Sequence, residues 1–154
     1  MIRAGGGVSF TVPGEPKGKA RPRLGRGGNT YTPRDTREYE DKVRAAFWDA
    51  VWNDDRYLGK DFMLTGPIRI TIAAHFRIPK SYSKKKLESM KYPMKKPDAD
   101  NIEKIICDAL NGLAYKDDSQ IVESHVMKLW TAGKFAWPED DHNEPYVWVS
   151  IEEL

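Results

Sequence analysis

Between Gly66-Pro67 and Pro79 the chain alternates: Ile68, Ile70, Ile72, Ala74 and Phe76 are separated by Arg69, Thr71, Ala73, His75 and Arg77. A period of two puts each set on one side of an extended chain, so this segment predicts a strand with one face in the core. Val8 to Val12 alternates over a shorter run that stops at Pro13, and predicts a first strand. A helical period governs two other segments. Tyr39, Val43, Ala46, Phe47 and Ala50 recur at helical spacing behind Asp35 and Glu38, whose D-x-x-E form suits an N-terminal cap, so a helix is predicted from Asp35 to about Asn53. Ile102, Ile105, Ile106, Ala109, Leu110 and Leu113 fall in one narrow stripe, predicting a second helix that Gly112 and the turn from Tyr115 to Ser119 bring to an end. Gln120 to Trp130 and Tyr146 to Ile151 are rich in β-branched and aromatic residues without internal breakers, and predict two last strands. The order strand, helix, strand, helix, strand, strand implies an α/β (α+β) fold, a mixed sheet with helices packed against it.

With 154 residues the chain fits one domain and is long enough to bury a core. Apolar residues make up 40% and charged residues 31%, a globular balance that excludes a disordered chain. No apolar run approaches the roughly 20 residues of a membrane span. Met1 to Gly7 lacks the apolar stretch of a secretory signal, so a cytoplasmic location is expected, with residues 1–7 as a flexible N-terminus. Cys107 is the single cysteine, which excludes an internal disulfide and an all-cysteine zinc site.

The net charge of +2 hides an uneven distribution. Residues 1–40 carry +4 and residues 80–96 carry +6, whereas residues 97–154 carry −9. Basic segments beside an acidic one suit a protein that grips phosphates while carboxylates hold a metal. The basic residues expected to bind DNA are Lys17, Lys19, Arg21 and Arg23 in a Gly- and Pro-rich loop over 14–30, read as a mobile arm, and Lys84, Lys85, Lys86, Lys95 and Lys96 in an 80–96 insertion. That insertion reads as a short helix or a flexible loop.

Candidate chemistry concentrates after Pro97, in Asp98-Ala99-Asp100-Asn101-Ile102-Glu103-Lys104, then Asp108, then Lys116-Asp117-Asp118-Ser119-Gln120. Asp100 and Glu103 have capping-box spacing, so the helix is expected to start at Asp100, leaving Asp98 to Asp100 extended with both carboxylates on one side. Lys104, Asp108 and Asn111 project opposite the apolar stripe. Two close carboxylates repel unless a proton or a cation lies between them, and hard oxygen ligands favour Mg²⁺, with Mn²⁺ as a substitute. Other readings use the same residues. Asp is favoured at caps and in turns, and Lys104 fits as the i+4 partner of Asp100 and Asp108. A metal-dependent glycosyl- or nucleotidyl-transferase also uses a D-x-D pair, although no Gly-rich phosphate loop accompanies it here. A non-catalytic DNA-binding module stays open as well. His75, His125 and His142 have no metal-ligand spacing and receive no role, and Cys107, near Lys104 and Asp108, reads as a packing residue.

Taken together, Pro97-Asp98-Ala99-Asp100-Asn101, Lys104, Asp108-Ala109-Leu110-Asn111-Gly112 and Asp117-Asp118-Ser119-Gln120-Ile121-Val122 resemble the signature of the RusA-type Holliday junction resolvases. Upstream, Lys17 to Arg23, Tyr31-Thr32-Pro33 and Arg37-Glu38-Tyr39-Glu40 resemble the phage-borne branch of that family. The resemblance implies a homodimer that cuts four-way DNA junctions with Mg²⁺, in recombination and repair. It further implies Asp98, Asp100 and Asp118 as metal ligands and Lys104 as an active-site lysine, with Asn101, Asp108, Asp117 and Gln120 in support. The 80–96 insertion and the Gly-rich arm depart from the shortest members of the family.

Overall fold

A computed structural model of the chain describes residues 6–133, 136–137 and 143–154. In chain order the elements are β1 (Gly7–Pro13), the short strands β2 (Arg23–Leu24) and β3 (Thr30–Tyr31), α1 (Arg34–Trp52), β4 (Ile68–Phe76), α2 (Lys84–Ser89), α3 (Ala99–Leu110), β5 (Ile121–Trp130) and β6 (Tyr146–Glu153). One sheet takes the order β1-β6-β4-β5, and a second pairs β2 with β3. Within the larger sheet β4 and β5 run parallel while β6 pairs antiparallel with both β1 and β4. The sheet is thus mixed, as the order of elements implies. Parallel pairing of β4 with β5 is open to the chain because the connection between them is long enough to carry α2 and α3.

The core lies between this sheet and the two long helices. Tyr39, Val43, Phe47 and Val51 of α1 and Ile102, Ile105, Ile106 and Leu110 of α3 are buried together with Ile68, Ile70 and Ile72 of β4 and Val147, Val149 and Ile151 of β6. Each such isoleucine contributes about 1.5–3 kcal/mol by leaving water. The stripe therefore anchors α3 to the core, and its polar edge is free to carry charge. Among the described residues no helix is long and apolar enough to cross a membrane.

Several expectations need correction. Both helices start earlier than their acids suggest. Pro33 is the N-cap of α1, and the Asp35 carboxylate instead accepts from the adjacent Thr36 N–H at 3.0 Å and pairs with Lys17 at 2.5 Å. Glu38 is likewise taken up by Arg34 at 2.7 Å, so no capping box forms. Asp98 is the N-cap of α3, with φ −71° and ψ 154°, and its carboxylate makes no capping bond. The restriction that proline imposes falls on the residue before it, and Asp98 comes after Pro97. Asp100 consequently sits in the first helical turn and not on an extended run with Asp98.

Strict alternation in β4 stops at Ala73, from which every residue to Phe76 is buried. At this end the outer face is covered as well: the His75 ring stacks on Tyr146 at 4.2 Å and meets Trp137 edge-on at 4.8 Å. The 80–96 segment contains α2, capped by the Ser83 hydroxyl, which accepts from the Lys86 N–H at 3.1 Å. Gly7 already belongs to β1, while residues 1–5 of the expected flexible N-terminus, and His142, lie outside the described residues.

Candidate active site

The buried stripe of α3 fixes which residues its opposite edge presents. Asp100, Glu103, Lys104 and Cys107 form one wall of an open cleft of about 320 Å³, and Asp118 with Ile121 forms the other. Asp118 reaches it through a single 3₁₀ turn, Asp118–Gln120, that the chain braces heavily. Asp117 caps that turn, accepting from the Ser119 N–H at 3.3 Å and from the Ser119 hydroxyl. The Gln120 side-chain carbonyl accepts from the N–H groups of Lys116 and Asp117 at 2.9 and 3.1 Å. Its amide donates to the carbonyls of Leu64 and Gly66 at 2.9 and 3.1 Å. Asp117 and Gln120 therefore hold the turn, and Asp118 is the acid it delivers to the cleft.

The preceding turn is equally determined. Gly112 adopts φ +79°, a conformation that suits glycine, and donates its N–H to the Tyr115 carbonyl at 2.8 Å. The fully buried Tyr115 donates its hydroxyl to the Cys107 carbonyl at 2.7 Å, tying the turn to the last part of α3. Asn111 is the C-cap of α3 and is exposed outside the cleft lining.

Of the three expected metal ligands, Asp100 and Asp118 share the cleft. Asp98 is turned to Lys96, at 2.7 Å, and lies near Lys128 of β5, whose pKa burial lowers, an effect that Asp98 opposes and that Lys96 and Lys95 add to. Among the described residues no group of three acidic, histidine or cysteine side chains stands at metal-ligating spacing. The donor chemistry of the cleft nevertheless fits a hard divalent cation. Carboxylates stand on both walls, and the one sulfur is no thiolate, since burial pushes the Cys107 thiol up to about 12. Glu103, read from sequence as a capping partner, is an additional acid of the lining. Its signal was available, because it stands three residues after Asp100 and one before Lys104 on a helix whose apolar stripe is known.

Lys104 enters a chain of ion pairs. Asp108 offers Oδ1 to Lys104 at 3.0 Å and Oδ2 to Lys19 at 3.1 Å. Lys19 also pairs with Glu40 at 2.5 Å, and Glu40 with Arg44 at 3.3 Å. The Asp108 carboxylate holds the Lys104 ammonium above its ordinary pKa, with a smaller contribution from Asp118. Burial pulls Lys19 down, but its bonds to Glu40 and Asp108 outweigh that and raise it.

The residues expected on DNA-binding surfaces separate into two groups. Arg21, Arg23, Lys84, Lys85, Lys86, Lys95 and Lys96 are exposed. Lys17 and Lys19 are partly buried, and the arm that carries them is docked on α3, where the Lys19 N–H donates to the Asn101 carbonyl at 3.0 Å. Asn101 thereby supports the arm through its backbone.

Residues 13–134 match the family described as Endodeoxyribonuclease RusA. The chain is also 34% identical over 153 residues to a Bacillus subtilis (strain 168) protein described as "Uncharacterized protein YqaN", with 96% of each chain covered. The family match contains the docked arm, the whole of α3, the braced turn and both walls of the cleft, and the chain belongs to the RusA endodeoxyribonuclease family.

Proposed function

We propose that the protein is a Mg²⁺-dependent endonuclease that cuts four-way DNA junctions and related branched DNA as a homodimer. The observation that carries this reading is the cleft that Asp100 and Asp118 line together with Lys104, in a chain of an endodeoxyribonuclease family. Asp100 and Asp118 would hold the cation, and Asp98 would join them on leaving Lys96. Mn²⁺ offers similar coordination. Bound Mg²⁺ supplies Lewis-acid polarisation of the scissile phosphate. Lys104, held at the rim by Asp108, offsets the negative charge that grows on the phosphate as the attacking oxygen adds. The exposed lysines of α2 and the Lys95-Lys96 pair, together with Arg21 and Arg23, supply sequence-independent contacts to the backbone. A four-way junction has two-fold symmetry, and two cuts across it call for two sites related by such an axis.

Incubating the full chain with labelled four-way junction and with linear duplex, each with and without Mg²⁺, tests the reading. Cutting confined to the junction with Mg²⁺ is expected. A protein that leaves the junction intact in Mg²⁺ and in Mn²⁺ contradicts it, and sedimentation of an active monomer contradicts the dimer.

A further inference from the structure

Lys19 lies on the basic arm, yet its ammonium points inward. Its side chain is 21% exposed and touches two carboxylates, Glu40 Oε1 and Asp108 Oδ2. Glu40 is itself buried, at 8% exposure, and keeps its second oxygen for Arg44. The backbone is fitted to this arrangement. A Cβ on Gly18 would lie 2.8 Å from Pro97 Cβ and 3.0 Å from Asn101 Cβ, so the absence of a side chain lets the arm approach the start of α3. The Lys19 N–H then bonds the Asn101 carbonyl.

An i, i+4 pair such as Lys104 with Asp108 contributes only weakly on an exposed helix. Such a contribution is below thermal energy and does not hold a lysine in one place. Asp108 is different because its second oxygen is clamped by Lys19, and Lys19 is clamped by buried Glu40. A carboxylate anchored on one side presents its other oxygen to Lys104 in a fixed direction. Sharing Asp108 between two ammoniums also leaves Lys104 incompletely neutralised, with charge to spend on a phosphate.

We infer that Lys19 is a positioning residue for Lys104, acting through Asp108, and is not a contact to the DNA backbone. This inference rests on the reading of the cleft as a nuclease site, in which Lys104 meets the phosphate.

Three kinds of measurement test it on the full chain. In single-turnover cleavage, Lys19→Met is expected to lower the saturated rate roughly 10- to 100-fold, with the half-saturating concentration unchanged. Lys19→Arg, which can still span both carboxylates, should restore most of the rate, and in a Lys104→Met background Lys19→Met should have no further effect. Gly18→Ala, which keeps every charge but displaces the arm, should lower the rate in the same manner. In metal-free junction binding, Lys19→Met should leave the salt dependence unchanged, whereas losing a phosphate contact would flatten the log-log slope by about 0.9. A flattened slope, or additive effects of the Lys19 and Lys104 changes, overturns the inference. If the wild-type chain does not cut junctions the nuclease reading fails, and acetylation of lysine amines followed by mass spectrometry still decides the placement of Lys19. Slow labelling that Asp108→Asn accelerates supports the clamp, and labelling as fast as Lys84 to Lys86 overturns it.

Discussion

Asp98 and Asp100 stand two positions apart, yet they meet different neighbours, Lys96 for one and the cleft for the other. The difference follows from a helix whose N-cap is Asp98, two residues earlier than the capping-box spacing suggests. Cys107, by contrast, behaves as a packing residue. The same burial that raises its thiol from an ordinary 9.0 to about 12 keeps it neutral and shielded. Folded protein at pH 8 should therefore react with a disulfide reagent only as fast as it unfolds, with prompt reaction in urea. Rapid labelling without urea would contradict the assigned burial. The sign of the linkage also follows. Because the folded state favours the neutral thiol, the stability this provides is intact below about pH 9 and is lost as pH climbs toward 12. Glu40 could have been noticed in the sequence, since with Val43 and Phe47 it falls on the buried side of α1 at helical spacing. An acid on an apolar stripe requires a partner, and that partner, Lys19, lies 21 residues away where no local pattern reaches it.

At the level of elements, the turn between α3 and β5 depends on one side chain more than on any other. Gln120 satisfies two N–H groups and two carbonyls at once, joining the turn to Leu64 and Gly66. Gln120→Ala should destabilise the fold by about 1–3 kcal/mol in urea unfolding, because the partly buried groups lose their partner. Gln120→Glu should cost at least as much, since its carboxylate would face two carbonyl oxygens. Loss of less than about 0.5 kcal/mol in both variants, the usual range for an unimportant surface change, would contradict this bracing role. The strands and long helices were legible because each has a clear period in its apolar residues. Helix starts were not, since Asp and Glu near a helix N-terminus serve equally as caps or as ion-pair partners, and the ion pairs that decide, Lys17 with Asp35 across the fold and Lys96 with Asp98 two residues on, leave no mark in the apolar pattern. The docking of the 14–30 arm was equally hidden. A Gly- and Pro-rich basic stretch reads as mobile, and only the closeness of Gly18 to Pro97 and Asn101 explains the glycine at that position.

Across the whole molecule, the sequence places its excess of acids in residues 97–154, behind basic segments at 1–40 and 80–96, and the fold sets a carboxylate-lined cleft beside surfaces that carry exposed lysines and arginines. That Asp100, Lys104 and Asp118 would come together was legible, because two of them share one helix edge and the third follows on the short turn behind it, and the three line one cleft. The Lys19 and Glu40 support needed the tertiary arrangement. The central claim is that carboxylates of this cleft hold the metal that cuts DNA, and it separates binding from cutting. Asn keeps the size of Asp and serves as well in turns and at caps, but it lacks the charge that retains Mg²⁺. The most direct measurement is therefore junction binding without metal and junction cleavage with Mg²⁺, on folded Asp98→Asn, Asp100→Asn and Asp118→Asn proteins. Each variant should bind the junction as tightly as wild type or more so, since a charge that repels phosphate is gone, while cleavage nearly vanishes. Mg²⁺-dependent cutting retained at the wild-type rate in folded Asp100→Asn or Asp118→Asn protein would contradict the account.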